Sequence, residues 1–194
     1  MNQATNLWNA LAQVVDYPAP TLRPALVALI QACSPVLPEA ATGFQQFCDE
    51  LDHSGFARFE ELYTEGFDFD AASSPYIGYH LFGEDPKRSH FMAGLKGRCL
   101  ELGLDVGAEL PDHVAAVLRL MAVVPESEEA EELLVDCLVP AVEKMRAGLE
   151  GKNNPYRGLL HAVSVVLEEE AKSASTRRDV SCRPFSLSSS PTSR

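Results

Sequence analysis

The sequence contains no long hydrophobic segment. A helix needs about 20 apolar residues to cross a bilayer, and no apolar run in the 194 residues of this chain approaches that length. The N-terminal stretch, MNQATNLWNALAQVVDYPAP, places no basic region before its apolar residues and shows no small-residue cleavage site, so it is not typical of a secretory signal. We therefore expect a cytoplasmic protein without stable membrane insertion.

Cysteine is infrequent and irregularly spaced. The five cysteines are odd in number, widely separated and never arranged as Cys-x-x-Cys, whereas disulfide frameworks and zinc sites use paired or closely spaced cysteines. We expect neither disulfides nor a metal site, and we interpret most of these side chains as small buried hydrophobic groups. They are Cys33, Cys48, Cys99, Cys137 and Cys182.

Short motifs that mark common catalytic and nucleotide sites are also absent. The chain has no Gly-x-x-x-x-Gly-Lys-Ser/Thr loop, no Gly-x-Gly-x-x-Gly turn, no His-Glu-x-x-His helix and no Gly-x-Ser-x-Gly elbow. An enzyme would have to use dispersed residues, namely His80, Asp112 and His113 with Cys48 or Cys99. Consecutive side chains on a helix diverge by about 100°, so Asp112 and His113 alone do not form a metal site. We expect no catalytic residues and no cofactor.

Positive charge is scarce in most of the chain. The formal net charge is −12, and because residues 171–194 carry a balance of +4, residues 1–170 carry −16. An acidic field repels phosphate backbones and attracts cationic partners, although it also serves solubility. The charge therefore argues against a nucleic-acid partner and favours a basic peptide.

Apolar residues recur at helical spacing along the first 170 positions. Leu7, Leu11 and Val14 form the first such face, and no segment alternates apolar and polar residues between hairpin turns. These patterns predict an all-α fold, a single compact domain of roughly eight to ten helices over residues 1–170. Residues 171–194 are rich in Ser and Arg and lack a period, so we expect a disordered tail there.

The stretch SPYIGYHLFGEDPKRSHF, residues 74–91, places several amphipathic rings beside a turn. Tyr76, Tyr79 and His80 have polar atoms that need hydrogen-bond partners once buried, so a plain core helix would use Leu, Ile and Val instead. Aromatic residues at helical spacing are usually core residues. The rings therefore either pack a helix junction or belong to a binding site.

Three segments resemble a known family in order and spacing. ELYTEGFDFD (61–70), SPYIGYHLFGEDPKRSHFMAGLKGRCLELGL (74–104) and ELPDHVAAVLRLMA (109–122) are similar to the signature of the NarJ branch of the TorD/DmsD-like redox-enzyme maturation chaperones. That signature comprises a Tyr-x-x-x-Phe-Asp element, a tyrosine-rich His-Leu-Phe-Gly helix and a Leu-Pro-Asp-His/Tyr element. The resemblance extends over about residues 7–170.

The resemblance implies an all-helical assembly chaperone that is not an enzyme. Such a protein binds the N-terminal region of the catalytic subunit of a molybdenum-containing oxidoreductase, nitrate reductase or a relative in the dimethyl-sulfoxide-reductase superfamily, and holds it for cofactor insertion. It implies no particular oligomeric state. A twin-arginine leader-binding proofreading factor is the alternative, and an unrecognised enzyme is less favoured. The implied client-peptide residues are Tyr63, Phe67, Asp68, Tyr76, Tyr79, His80, Phe82, Gly83, Asp112 and His113.

Two of these residues carry a specific structural expectation. We expect Asp112 and His113 to form an exposed polar rim of the client site, so that alanine substitutions lower stability by less than about 1 kcal/mol while weakening client binding. The alternative is that Asp112 caps the following helix, in which case its removal costs about 1 kcal/mol.

Overall fold

All regular structure in the computed structural model is helical. The structure describes residues 3–105, 109–124 and 126–181, with ten α-helices in these ranges and no β-strand. One isolated antiparallel bridge joins Tyr76 and His113. The predicted all-α fold is thus confirmed. Over the same ranges, no helix combines the length and the apolar content that crossing a bilayer requires.

Three amphipathic helices form the N-terminal part of the fold. They are α1 (Gln3–Val15), α2 (Leu22–Cys33) and α3 (Pro38–Ser54). Leu11 and Val14 of the predicted first face are fully buried, as the helical spacing requires. A proline begins α3, a position that tolerates proline because the first N–H of a helix has no intrahelical partner.

The next segment positions the first of the three motifs. Helix α4 (Phe56–Tyr63) continues into a π-helical turn, Thr64–Asp68, and a short 3₁₀ turn follows at Ala71–Ser73. The Asp70 carboxylate accepts a hydrogen bond from the Ala72 N–H at 2.8 Å, which satisfies one of the free amides at the start of this turn.

The middle of the chain folds into three further helices. Gly83, with φ of 62°, ends the first of them in a conformation that glycine adopts at little cost. The Asp85 carboxylate accepts a hydrogen bond from the Lys87 N–H at 2.8 Å and caps the second. The helices are α5 (Ile77–Phe82), α6 (Pro86–Glu101) and α7 (Val114–Met121).

The C-terminal part begins with an acidic helix start. Ser127 caps α8, whose first turn carries three glutamates, a charge that complements the positive end of the helix dipole. The elements are α8 (Glu128–Glu132), a π-helical turn (Leu133–Leu138), α9 (Val139–Gly148) and α10 (Tyr156–Ser181).

The core lies where α10 meets the N-terminal helices. Helix α3 packs against α2 and α10, and α1 packs against α2 and α7. A Cβ built on Gly43 of α3 would lie 2.8 Å from the Cβ of Ala162, so glycine permits α3 and α10 to approach closely. The buried ring of Tyr156 lies 5.0 Å from that of Phe47 and 5.3 Å from that of Phe67, which ties the start of α10 to α3 and to the first motif.

The last helix is longer than the sequence predicted. Helix α10 continues to Ser181, eleven residues beyond the end of the predicted helical domain. Ala and Lys are good helix formers, and extending an existing helix requires no new nucleation. The rest of the expected tail, 182–194, lies outside the described residues, and the division of the chain at residue 170 stays a prediction.

Candidate functional site

A hydrogen bond between Tyr63 and His113 joins the first motif to the third. The Tyr63 hydroxyl oxygen lies 3.4 Å from His113 Nε2, and both residues are buried, at 3% and 4% exposure. Phe67 is buried as well, and its ring lies 4.8 Å from that of Tyr63. Tyr63, Phe67 and His113 therefore form the interior of the site.

The second motif joins the third through the antiparallel bridge. The Ile77 N–H donates to the Asp112 carbonyl oxygen at 2.8 Å, and the Val114 N–H donates to the Pro75 carbonyl oxygen at 2.8 Å. The bridge places the Tyr76 ring edge-on to the His113 imidazole, with centroids 5.6 Å apart. Three segments that are separate in the sequence thus converge at one point.

An ion pair joins the partly exposed Arg88 to the buried Asp112, next to the bridge. Arg88 Nε donates to Asp112 Oδ2 at 2.9 Å, and the Asp112 side chain is 0% exposed. The Arg88 guanidinium also lies 5.6 Å from the centroid of the Tyr76 ring and 5.8 Å from that of Tyr79, within the range of a cation–π contact. A Cβ on Gly78 would be 2.6 Å from Asp112 Oδ2, so glycine leaves the room that the carboxylate occupies.

The expectation that Asp112 and His113 form an exposed polar rim is wrong, because both are buried. The alternative, in which Asp112 caps the following helix, is also wrong. His113, and not Asp112, caps α7, with its Nδ1 accepting a hydrogen bond from the Ala115 N–H at 3.2 Å. Since Nδ1 is an acceptor, the ring proton lies on Nε2, which donates to the Tyr63 hydroxyl oxygen. Burial lowers the pKa of His113, which favours this neutral form.

Acidification is expected to destabilise the protein through His113. The folded-state pKa is lowered from the about 6.5 of an unfolded chain, so stability that is present above that pH is lost as the pH falls through the folded-state pKa. His113→Asn keeps a capping acceptor but cannot titrate. In urea titrations between about pH 7 and pH 5, the variant should therefore lose less free energy of unfolding than the wild type. An equal loss in both proteins would contradict this account.

Tyr79, His80, Phe82 and Gly83 are half-buried at the junction of α5 with α6 and α9. His80 Nε2 donates to the Ser74 carbonyl oxygen at 2.6 Å, and burial is the main cause that lowers the pKa of His80. The Lys144 ammonium donates to the His80 carbonyl oxygen at 2.7 Å. The ring of Phe82 lies 5.5 Å from that of Phe91 on α6. Much of this motif therefore packs a helix junction, which was one of the two interpretations of the stretch.

An exposed surface covers the buried part of the site. We call it the aromatic–acidic patch and define it by five residues. Tyr17 and Leu110 are large hydrophobic side chains that are 48% and 44% exposed, Tyr76 is half-buried, and the two acidic residues are exposed. The patch consists of Tyr17, Asp68, Tyr76, Glu109 and Leu110.

Direct contacts hold the patch on the buried residues. The Tyr17 ring lies edge-on to that of Tyr63 at 5.4 Å, and the Tyr76 hydroxyl donates to Glu109 Oε2 at 3.3 Å. Burial and then the Glu109 carboxylate raise the pKa of Tyr76. Sequence analysis missed Tyr17 because it precedes the three motifs, and it missed Glu109. Leu110 belongs to the third motif, but no periodicity indicated that it shares a surface with Tyr17 and Tyr76.

The described residues offer no metal site or reactive thiol. Within the ranges that the structure covers, no three His, Cys, Asp or Glu side chains converge as metal ligands would. Four cysteines are free thiols there, and burial raises the pKa of each, that of Cys137 to about 11. A raised pKa keeps a thiol protonated and unreactive. Cys182 lies outside these ranges.

Comparisons with known proteins agree with the motifs. The family model described as "Nitrate reductase delta subunit" matches residues 31–162, more than half of the chain. Two curated relatives are the nitrate reductase molybdenum cofactor assembly chaperones NarJ of Escherichia coli strain K12 and of Escherichia coli O157:H7. Each is 32% identical over 95 residues, which cover 48% of this chain and 39% of the relative. The predicted resemblance is confirmed, and the chain belongs to the nitrate reductase delta subunit family.

Proposed function

We propose that the chain is a cytoplasmic assembly chaperone for a molybdenum-containing oxidoreductase, nitrate reductase or a related enzyme. It binds the N-terminal region of the catalytic subunit and holds that subunit for cofactor insertion. The family and the two relatives support the proposal, because their names refer to a nitrate reductase subunit and to an assembly chaperone for its molybdenum cofactor. Neither name describes a catalyst, in agreement with a role that needs no catalytic residue.

The aromatic–acidic patch is the observation that carries this proposal. Tyr17, Tyr76 and Leu110 offer exposed or half-buried apolar area, and tyrosine gives a large contact surface with few rotatable bonds and a polar end. Asp68 and Glu109 are exposed carboxylates on the same surface. A basic amphipathic helix can place its apolar side on the rings and its cations on the carboxylates.

The site residues divide into two roles in this proposal. Tyr63, Phe67, Asp112 and His113 are buried, so they hold the patch in shape and do not contact the client directly. Asp68 and Tyr76 reach the surface and contact it. The acidic balance of −16 on residues 1–170 adds a long-range attraction that speeds the encounter with a basic peptide.

Reversing the charge of the patch is expected to weaken client binding. Asp68→Lys with Glu109→Lys replaces two carboxylates by cations, which repel a basic peptide. The dissociation constant for an N-terminal peptide of a nitrate reductase catalytic subunit should rise at least about tenfold at about 50 mM salt. The difference should shrink at about 500 mM salt, where screening shortens the reach of exposed charge. Isothermal titration calorimetry measures both effects.

A matched control separates the patch from overall charge. Asp49→Lys with Glu168→Lys makes the same change in net charge at two exposed positions on α3 and α10, outside the patch. This control should bind the peptide with nearly wild-type affinity. Equal weakening by both double variants would contradict a role for the patch.

Peptides with and without a pair of arginines distinguish the proposed chaperone role from the alternative role in export proofreading. A protein that recognises twin-arginine leaders should lose binding when the paired arginines of the peptide are replaced by glutamine. A chaperone of the proposed kind should still bind an N-terminal peptide that lacks this pair. Comparing the two peptides in the same calorimetric titration decides between these roles.

A further inference from the structure

Phe69 is the most exposed large hydrophobic residue in the part of the chain that the structure describes. It is 80% exposed, against 48% for Tyr17 and 44% for Leu110 of the aromatic–acidic patch. A phenylalanine ring has no polar atom, so its contact with water is unfavourable and its burial against another apolar surface is favourable. Single exposed apolar side chains are nevertheless ordinary on protein surfaces, so exposure alone does not identify a binding residue.

The backbone that follows Phe69 is held in place by the Asp70 side chain. Its two carboxylate oxygens have different partners: Oδ1 accepts a hydrogen bond from the Ala72 N–H at 2.8 Å, and Oδ2 pairs with Lys152 Nζ at 2.6 Å. The hydrogen bond shapes the 3₁₀ turn. The ion pair connects the residue after Phe69 to the loop between α9 and α10.

The π-helical turn that precedes this ring is held in place as well. The Ser73 hydroxyl donates to the Gly66 carbonyl oxygen, and the Asn154 amide donates to the Leu62 carbonyl oxygen at 2.8 Å. Asn154 Oδ1 also accepts a hydrogen bond from the Tyr156 N–H at 3.0 Å, so one side chain joins the turn to the start of α10. The exposed ring therefore projects from a backbone that is bonded on both sides, and little conformational entropy is lost when a partner covers it.

Phe69 also continues the aromatic–acidic patch, because it directly follows Asp68. Burial and then the Glu109 carboxylate raise the pKa of Tyr76, and the charge of Asp68 contributes to the rise. Asp68 therefore lies close to the half-buried tyrosine of the patch. Phe69 adds a further apolar contact at this edge.

A basic amphipathic helix fits a carboxylate and an apolar ring that lie side by side. Side chains three or four positions apart are neighbours on a helix surface. A ligand with a lysine or arginine and a bulky apolar residue at that spacing can contact Asp68 and Phe69 at the same time. A peptide that carries only the basic residue would contact the carboxylate and leave the ring in water.

We propose that Phe69 is an apolar anchor for the N-terminal peptide of the client, covered by a bulky hydrophobic side chain that lies one helical turn from a basic residue of that peptide. This inference rests on the proposed function. It adds the feature by which the site distinguishes an amphipathic peptide from one that is merely basic.

Phe69→Ser removes the ring at an exposed position, so the core of the protein is not altered. We expect the dissociation constant for the N-terminal peptide of a nitrate reductase catalytic subunit to rise at least about tenfold, as for other binding anchors. The rise should be equal at about 50 mM and about 500 mM salt, because salt screens charges and not apolar contacts. Isothermal titration calorimetry measures both values.

Leu100→Ser is the matched control. Leu100 is 70% exposed on α6, so the substitution also removes an exposed hydrophobic side chain. It lies about 18 Å along the helix from Arg88, the α6 residue that contacts Tyr76. This variant should bind the peptide with wild-type affinity.

Phe69→Trp tests directly whether the peptide covers this position. The emission of the introduced indole should shift to shorter wavelength when the peptide binds, because the ring leaves water. Trp8, the only natural tryptophan, is 7% exposed, and its emission in the wild type is subtracted. Leu100→Trp should show no shift.

The outcomes separate this inference from the proposed function. A wild type that does not bind the peptide would contradict the proposed function, and the inference with it. A wild type that binds, with equal affinity in Phe69→Ser, would overturn the inference alone, as would an unchanged emission of Phe69→Trp at saturating peptide. Circular dichroism checks that the variants are folded. If Phe69→Ser is unfolded, the emission of Phe69→Trp decides.

Discussion

Replacing Arg88 by Ala is expected to lower the free energy of unfolding by about 3 kcal/mol, because it leaves the Asp112 carboxylate buried without its cation. Asp112 is 0% exposed, its Oδ2 bonds to Arg88 Nε, and its Oδ1 has no hydrogen-bond partner among the described residues. The Asp112 side chain has no exposed surface, so the carboxylate depends on Arg88 for its compensating charge. Urea unfolding monitored by circular dichroism measures the loss.

The partner substitution distinguishes a buried charge from lost packing. In the double variant Arg88→Ala with Asp112→Asn, the neutral amide removes the unpaired charge, so this protein should be more stable than Arg88→Ala alone. Asp112→Asn by itself should cost less than Arg88→Ala, because the Arg88 side chain is 21% exposed and reaches water. A double variant less stable than Arg88→Ala would contradict the account.

The helices could be predicted from the sequence because their apolar faces follow a simple period. Residues such as Leu11, Leu26 and Leu159 recur at helical spacing and are fully buried. Capping residues and prolines predicted where one helix ends and the next begins. At the C-terminus, composition placed the end of the last helix near residue 170, and α10 continues to Ser181. The helical bonds that an established helix gains per residue outweigh a Ser-rich composition there.

The position of the candidate site could be predicted from the sequence, but which of its side chains are buried could not. The three motifs identified the segments that converge, and Tyr63, Tyr76 and His113 do come together. The sequence could not show that Asp112 and His113 are buried, since polar residues after a proline ordinarily indicate an exposed loop. Their burial depends on partners 24 and 50 residues away in the chain, Arg88 and Tyr63, and no local pattern specifies these pairings.

The exposed part of the site was beyond sequence reasoning for a related reason. Tyr17 joins the patch only because α1 packs on α7, which brings its ring against Tyr63. Surfaces built from distant segments require the fold before their charge can be assigned.

Substituting Gly148 by Ala is expected to produce the second large effect, a loss of about 3 kcal/mol in the free energy of unfolding. A Cβ there would lie 2.1 Å from the Ala72 carbonyl oxygen and 2.7 Å from the Ser73 nitrogen. Both are backbone atoms, so no side chain can rotate to relieve the overlap. The end of α9 and the turn at Ala71–Ser73 would have to separate.

Separating the end of α9 from the turn at Ala71–Ser73 should also disturb the client site. The Ser73 hydroxyl donates to the Gly66 carbonyl oxygen, so a displaced turn pulls on the π-helical turn that carries Phe67 and Asp68. We expect Gly148→Ala to weaken binding of the N-terminal client peptide as well as to lower the urea midpoint. Gly94→Ala is the control, because a Cβ on Gly94 meets no atom within 4 Å; inside α6 it should raise stability by up to about 1 kcal/mol and leave binding unchanged. Wild-type stability in Gly148→Ala would show that α9 and the turn do not need this close contact.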